Sequence, residues 1–498
     1  MVRELSVDVV IVGSGPGGAV AAARLSAAGA RVAVLEEGGE FTGADFGGLE
    51  QDAYPLLYQE HGARSTEDLS IQVLQGRTVG GGSTVSWMTC FRTPASTLAA
   101  WEAMGVEGVD AASLRPHWDE VERRLDVHAG LPEDVNANNG VLRDGCSILG
   151  WGWNQLARNS TDCPNLGLCG MGCPVDAKND ARRTYLSDAR RNGATVYAGF
   201  RVDRIVTRGR RASGVLATGI DPRTDAPTGD TLDVRAGTVV VAGGALNSPA
   251  LLRRSGLGGS AVGRRTWLHP VVATAALFER TINPWSGSPQ SIGSHHFAQR
   301  GGRMGFFIET PPVHPMLAAL AFPAFGMEHR AFRAALPRVN VLIGLGIDGF
   351  SAEEPGGRVR VRRDGTMRLS YPLTSRHREA LVQAMKAMAR IQLAAGAQRV
   401  MSLHTRPVEV RRESEVERLA QAPFGPNHLS MFSAHPMGGC AMGRSPKSSV
   451  VDSRGRVHGV DNLVVADGSV FPTSLGVNPM ISIYGVASLF ASELAAKG

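Results

Sequence analysis

Asp8-Val-Val-Ile-Val-Gly13-Ser-Gly15-Pro-Gly-Gly18 sets a glycine turn directly after an unbroken apolar run. Such a run suits a strand buried on both faces of a parallel sheet. Ala19 to Ala28 then reads as a helix stopped by Gly29, and Arg31-Val-Ala-Val-Leu-Glu36 as a second strand. Together they form one βαβ unit. In Gly13-x-Gly15-x-x-Gly18 the first glycine permits the tight turn, the second lets the backbone approach a pyrophosphate, and the third lets the helix pack closely on the strand. The helix N-terminus offers free N–H groups and partial positive charge to phosphates. Glu36 lies 23 residues after Gly13, where a carboxylate accepts from an adenosine ribose and repels a 2′-phosphate. The pattern predicts a dinucleotide site without choosing between NAD and FAD. Gly256-x-Gly258-x-x-Ala261 follows a helix-like segment and no strand, so no second site of this kind is expected.

Two more strands of the buried type stand far along the chain. Thr238-Val-Val-Val-Ala242 runs into Gly243-Gly244, and Asn462-Leu-Val-Val-Ala466 ends at Asp467-Gly468. Their spread implies a nucleotide domain assembled from separated segments, with ligand at the strand carboxyl ends. Residues 276–424 differ. Val339–Ile347 is strand-like, Arg358–Arg363 and Thr366–Tyr371 flank an Asp364-Gly365 hairpin turn, and Arg376–Ala395 reads as an amphipathic helix. An antiparallel sheet with helices is expected there. Residues 316–327 are unusually apolar, which suits a greasy pocket, a membrane contact or plain core packing.

The 498 residues suffice for about two to three structural units. No apolar run reaches about 18 residues, so no transmembrane helix is expected. The first apolar stretch leads straight into the glycine turn, not into a cleavage site, which predicts a cytoplasmic protein. Net charge is +6, and only four of the 52 basic residues are lysine. The arginines are scattered among acids and not gathered on one face, so nucleic-acid binding is not expected. Six cysteines include Cys163, Cys169 and Cys173 in one cluster. This cluster lacks an evident fourth ligand, so reduced structural thiols are expected and no metal.

Gly76-Arg77-Thr-Val-Gly80-Gly81-Gly82-Ser83-Thr-Val-Ser86 resembles the first signature of the glucose–methanol–choline (GMC) oxidoreductase family, and Ala242-Gly243-Gly244-Ala-Leu-Asn247-Ser248-Pro249 its second. Ser433-Ala-His435-Pro-Met-Gly-Gly, Val465-Ala-Asp467-Gly468-Ser and Gly476-Val-Asn478-Pro479-Met480 follow in the family order. The resemblance implies an α/β chain: a discontinuous Rossmann-like FAD-binding domain (1–100, 185–275 and 425–498) and a substrate-binding or cap domain with an antiparallel β-sheet and helices (101–184 and 276–424). It implies FAD as cofactor, with Gly13, Gly15, Gly18 and Glu36 on the ADP half and the Val202 backbone at the adenine. The Gly80 to Ser83 loop, with Gly81 in it, would pass along the pyrophosphate and flavin, and Arg77 joins the cofactor-binding residues. Asp467, Gly468, Asn478 and Pro479 would approach the ribityl chain and ring. Ser86 stands where the family usually has Asn, which puts that residue's own role in doubt. Gly82-Ser-Thr-Val-x-Trp87, Cys169-Gly-x-Gly-Cys173-Pro-x-x-Ala-Lys178 and Glu309-Thr-Pro-x-x-His-Pro315 are most similar to the long-chain alcohol oxidase branch, with steroid alcohol oxidases next.

Alcohol oxidation removes a proton from oxygen and a hydride from carbon. The resemblance places His435 as the base, suited by a pKa near working pH, and Asn478 as the group that orients the hydroxyl. Glu309 is a candidate for shaping the site or supporting a loop, and His269 reads as structural. The expected partners are a hydrophobic alcohol, long-chain primary or steroid-like, and either oxygen or an electron carrier. A lyase or a non-catalytic flavoprotein on the same fold stays open, whereas no Gly-x-Ser-x-Gly elbow supports a hydrolase.

Overall fold

Val2–Val12 occupies the centre of a parallel layer in the computed structural model, which describes residues 2–496. Val32–Glu36 and Pro227–Val241 flank it, Thr195–Ala198 extends the sheet on one side, and Leu463–Val465 runs beside Pro227–Val241 on the other. Val9–Val12, Val32–Leu35 and Val239–Val241 are all buried, as strands covered on both faces require. The helices Pro16–Ala27 and Met480–Ala495 lie against each other over this sheet. A Cβ on Gly18 would stand 2.0 Å from the Gly13 carbonyl oxygen, and one on Gly17 1.8 Å from that of Ala466. Both positions therefore exclude side chains, because the first helix rests directly on the strand ends. The N-terminal half of Pro227–Val241 stays parallel to Val2–Ser6 and carries the sheet on from its other edge. It pairs antiparallel with Arg211–Ile220, which in turn pairs with Phe200–Arg208.

A nine-stranded sheet forms the second layer. Its centre is the antiparallel pair Val271–Leu277 and Val339–Gly346, registered from Val271 opposite Leu345 to Leu277 opposite Val339. Alternation sorts the side chains. Val272, Ala276 and Leu342 pack under the helices Ser375–Ala394 and Ala137–Leu149. Val271, Ala273, Ala275, Ile343 and Leu345 face the other way. Val271–Leu277 lies wholly in this sheet, so the boundary expected at 275 falls inside a strand. The Asp364-Gly365 hairpin forms between Gly357–Val361 and Met367–Ser370. It belongs to a separate four-stranded sheet with Arg264–Trp267 and Met437–Gly438. Among the described residues no helix is long and apolar enough to cross a membrane.

The cysteine cluster has a packing explanation. All six cysteines are free thiols, and among the described residues no group of three His, Cys, Asp or Glu could hold a metal ion. Lys178 is fully buried beside Cys169, and its Nζ donates to the carbonyl oxygens of Thr84 (2.6 Å), Ser86 (3.0 Å) and Cys169 (2.6 Å). One ammonium thus ties the 84–86 loop to the cysteine segment, and its burial lowers its pKa. Lys178→Met leaves three buried carbonyls without that donor, which costs about 3 kcal/mol. The expected readout is a clear fall in the thermal midpoint of the flavin-loaded protein. An unchanged midpoint would show that the clamp carries no stability.

Candidate active site

The strand ends of the parallel layer face the nine-stranded sheet across one continuous cavity. Gly13, Gly15, Glu36, Gly81, Ser83, Val202, Asp467, Gly468, Asn478 and Pro479, all expected from the sequence to touch cofactor, line it together with His435. The turn and the loop meet at Gly15 and Gly81. Gly81 has φ +55°, and a Cβ on it would stand 2.7 Å from the Gly15 Cα. Two strips of backbone therefore cross with no side chain between them and the cavity.

Glu36 is locked to this turn. Its Oε2 accepts from the Ser14 N–H (3.0 Å) and hydroxyl (2.6 Å), and its Oε1 accepts from the Gly38 N–H (2.9 Å). Burial raises its pKa, and these three donors oppose the rise. A carboxylate oxygen has capacity beyond one or two such bonds, which leaves room for a ribose hydroxyl. Asp467 joins two strand ends. Its Oδ2 accepts from the Gly244 N–H (2.8 Å) and Ser248 Oγ (2.5 Å), and its Oδ1 from the Ser469 N–H (2.8 Å). The Ser83 hydroxyl donates to the Gly80 carbonyl (2.6 Å) and accepts from the Ala181 N–H (2.9 Å). Ser86, the residue that departs from the family pattern, lines the cavity and donates to the Ser83 carbonyl (3.1 Å). The side-chain-free crossing, the ribose-facing carboxylate and the open start of the first helix fit the ADP half of FAD.

Three expected cofactor residues stand off the cavity. Gly18 serves the helix packing described above. Gly80 sits behind the turn, with its N–H donated to Ser14 Oγ (3.1 Å). Arg77 has a buried guanidinium that pairs with Asp225 (2.5 Å) and Glu37 (3.7 Å) beside the loop. Two arginines on the cavity carry no motif signal. Arg64 is buried and donates to Gln59 (3.0 Å), Gln75 (2.8 Å) and Asn247 (3.0 Å). Arg254 donates to the backbone carbonyls of Asp203 (3.1 Å) and Val202 (3.4 Å).

His435 and Asn478 come together as expected, with Asn478 Nδ2 3.4 Å from His435 Nε2. Asn478 Nδ2 also donates to Glu309 Oε2 (3.3 Å), which accepts from Gln290 Nε2 (2.6 Å). Asn478 Oδ1 and Glu309 Oε1 are buried without a partner. Burial raises the Glu309 carboxyl to about 8 and lowers His435 to about 4, so the histidine is neutral at ordinary pH.

His269, read as structural, proves to touch His435. The Gly476 N–H lies 3.1 Å from His269 Nε2, and His269 Nδ1 lies 3.2 Å from His435 Nδ1. His269 is held in turn. It has φ +47°, and its N–H and that of Leu268 donate to Asp348 at 3.2 and 3.0 Å. A positive φ at a non-glycine residue is strained and persists only where the surroundings impose it.

Gly81→Ala places a methyl group at the crossing and strains the backbone, so flavin affinity should fall by about tenfold or more while the far-ultraviolet circular dichroism stays native. Full flavin content in that variant would contradict the crossing as the pyrophosphate site.

Residues 54–271 and 354–487 match the GMC oxidoreductase family, and residues 11–52 match an NAD(P)-binding Rossmann-like domain. An uncharacterized GMC-type oxidoreductase of Mycobacterium tuberculosis is 34% identical over 98% of this chain and 76% of its own length. A long-chain-alcohol oxidase of Arabidopsis thaliana is 32% identical over 99% of this chain and 68% of its own. Pyridoxine 4-oxidase from Mesorbium loti shares the fold, with a TM-score of 0.72 at 22% identity and 98% of each chain covered. With a glycine turn, signature loops and a His–Asn pair on one cavity, and with these matches over nearly its whole length, the chain belongs to the GMC oxidoreductase family.

Proposed function

We propose that this FAD-dependent oxidoreductase converts a hydrophobic alcohol, long-chain primary or steroid-like, to an aldehyde or ketone. The observation that carries the reading is the His435–Asn478 pair on the same cavity as the dinucleotide turn, with Glu309 buried behind Asn478. Trp87, Val271, Ile343, Leu345, Phe432 and Met480 line that cavity and supply apolar wall for such a substrate. Similarity to long-chain-alcohol oxidases supports the same substrate class.

Bound FAD would supply the hydride acceptor. The protein's own groups handle the hydroxyl. His435 Nε2 accepts the carbinol O–H, and Asn478, 3.4 Å from it, orients the hydroxyl. These contacts fix the oxygen and thereby aim the C–H bond. As the O–H bond breaks, the proton passes to His435 Nε2, and the imidazolium so formed steadies the negative charge on oxygen. Glu309, whose carboxyl burial raises to about 8, accepts from Asn478 Nδ2 and holds that amide in place. Oxygen or an electron carrier is the expected final electron acceptor.

Three outcomes follow for anaerobic, alcohol-driven flavin reduction. The neutral His435 acceptor form exists above its lowered pKa, so the rate falls as pH drops through about 4 and is level above it. Asn478→Ala slows reduction about 10²-fold. His435→Ala slows it by about 10²- to 10³-fold with FAD still bound. A wild-type rate in His435→Ala would overturn the site assignment, and a wild-type rate in Asn478→Ala would remove its orienting role.

A further inference from the structure

The apolar segment 316–327 is neither pocket wall nor plain core. It forms a helical hairpin from Pro315–Ala321 and Gly326–Ala335. The underside is well packed: Phe322 stacks on Phe332 with centroids 3.9 Å apart, and both rest with Ala318 on Ala275 and Val339 of the nine-stranded sheet. His329 Nε2 bonds the Ala319 carbonyl (2.9 Å) across the hairpin, and the Glu50 carboxylate accepts from the Met316 (2.6 Å) and Leu317 (2.7 Å) N–H groups. The tip is the opposite. Leu320 is 76% exposed, Phe325 89% and Met327 76%. Packing that orders the base of a hairpin while leaving three large apolar side chains in water calls for a partner.

Charge and position identify the partner. Arg330 and Arg333 are exposed on the second helix of the hairpin and Arg338 at its foot, against a single exposed acid, Glu328, on the same segment. Among the described residues no carboxylate lies within ion-pair distance of these three arginines. Apolar side chains at the apex of a helical hairpin, with uncompensated arginines along its second helix, match an anionic lipid surface, where the apolar groups enter the acyl boundary and the cations meet headgroups. The hairpin also covers the sheet face that continues into the active-site cavity: Ala275 lies beneath it, while Val271 and Ile343, on the same face, line the cavity.

We propose that this hairpin docks the protein on an anionic bilayer, with Leu320, Phe325 and Met327 inserted and Arg330, Arg333 and Arg338 on the headgroups. Its use, drawing an apolar alcohol from the membrane into the cavity beneath, rests on the alcohol-oxidation reading. Docking itself does not. The test is co-sedimentation of the flavin-loaded protein with phosphatidylcholine vesicles, with and without phosphatidylglycerol. Wild-type protein should bind the phosphatidylglycerol vesicles, with binding weakened by salt. Leu320→Ser/Phe325→Ser/Met327→Ser should lose binding at least about tenfold, and Arg330→Glu/Arg333→Glu should lose the preference for the anionic lipid. Both variants should keep their flavin and reduce it at wild-type rate with a short, water-soluble alcohol. No sedimentation of the wild-type protein, or equal sedimentation of the serine variant, overturns docking. A concentration-dependent dimer abolished by the serine substitutions also overturns it and assigns the tip to a second copy of the chain. Failure of the alcohol reading would appear instead as flavin that no alcohol reduces, with vesicle binding intact.

Discussion

The architecture turns on the closeness of Gly15 and Gly81, two backbones in contact with no room for a Cβ on the second. This crossing brings the first strand–helix turn against a loop some 66 residues later, and Ser14 cements it by accepting from Gly80 and donating to Glu36. The same turn sits on the Ala466 and Ala242 strand ends through Gly17 and Gly13. Four separated segments of chain therefore share one point, and the cofactor cavity opens from it. Local sequence supplies the turn, while long-range packing of glycine on carbonyl makes it a site.

At the reacting end, order comes from a chain of directed hydrogen bonds. Asp348 holds the strained backbone of His269, Gly476 stands against its ring, and that ring stands against His435. The outcome is a neutral His435 beside Asn478, with a buried carboxyl raised to about 8 behind that amide, at Glu309. Preorganisation of this kind places the dipole before the reaction begins and costs no rearrangement during it.

Much of this was legible in the sequence. The strands at Val9, Val32, Thr238 and Leu463 each announce themselves by an unbroken apolar run, and the Gly13 turn, Gly243-Gly244 and Asp467-Gly468 lie just after three of them. A motif records adjacency in sequence, so it did not reveal that the Arg77 guanidinium pairs with Asp225, 148 residues on. Arg64 and Arg254 were invisible among many arginines with no local pattern. The His269–His435 contact spans 166 residues and depends on backbone geometry at Gly476, which periodicity does not encode. Lys178 reveals itself only as a buried ammonium. The hairpin at 315–335 was seen as apolar, but which side of it faced water required the fold.

The central claim is redox turnover of an alcohol at the His435–Asn478 pair, and the most direct test is the visible spectrum of the purified, flavin-loaded protein during anaerobic addition of alcohols. The panel runs from short aliphatic to long-chain, aromatic and steroid. The account predicts bleaching of the oxidised flavin band, fastest with a hydrophobic alcohol, with one carbonyl product formed per flavin reduced. Release of an aldehyde without any bleaching, or a flavin that no alcohol reduces, would contradict it.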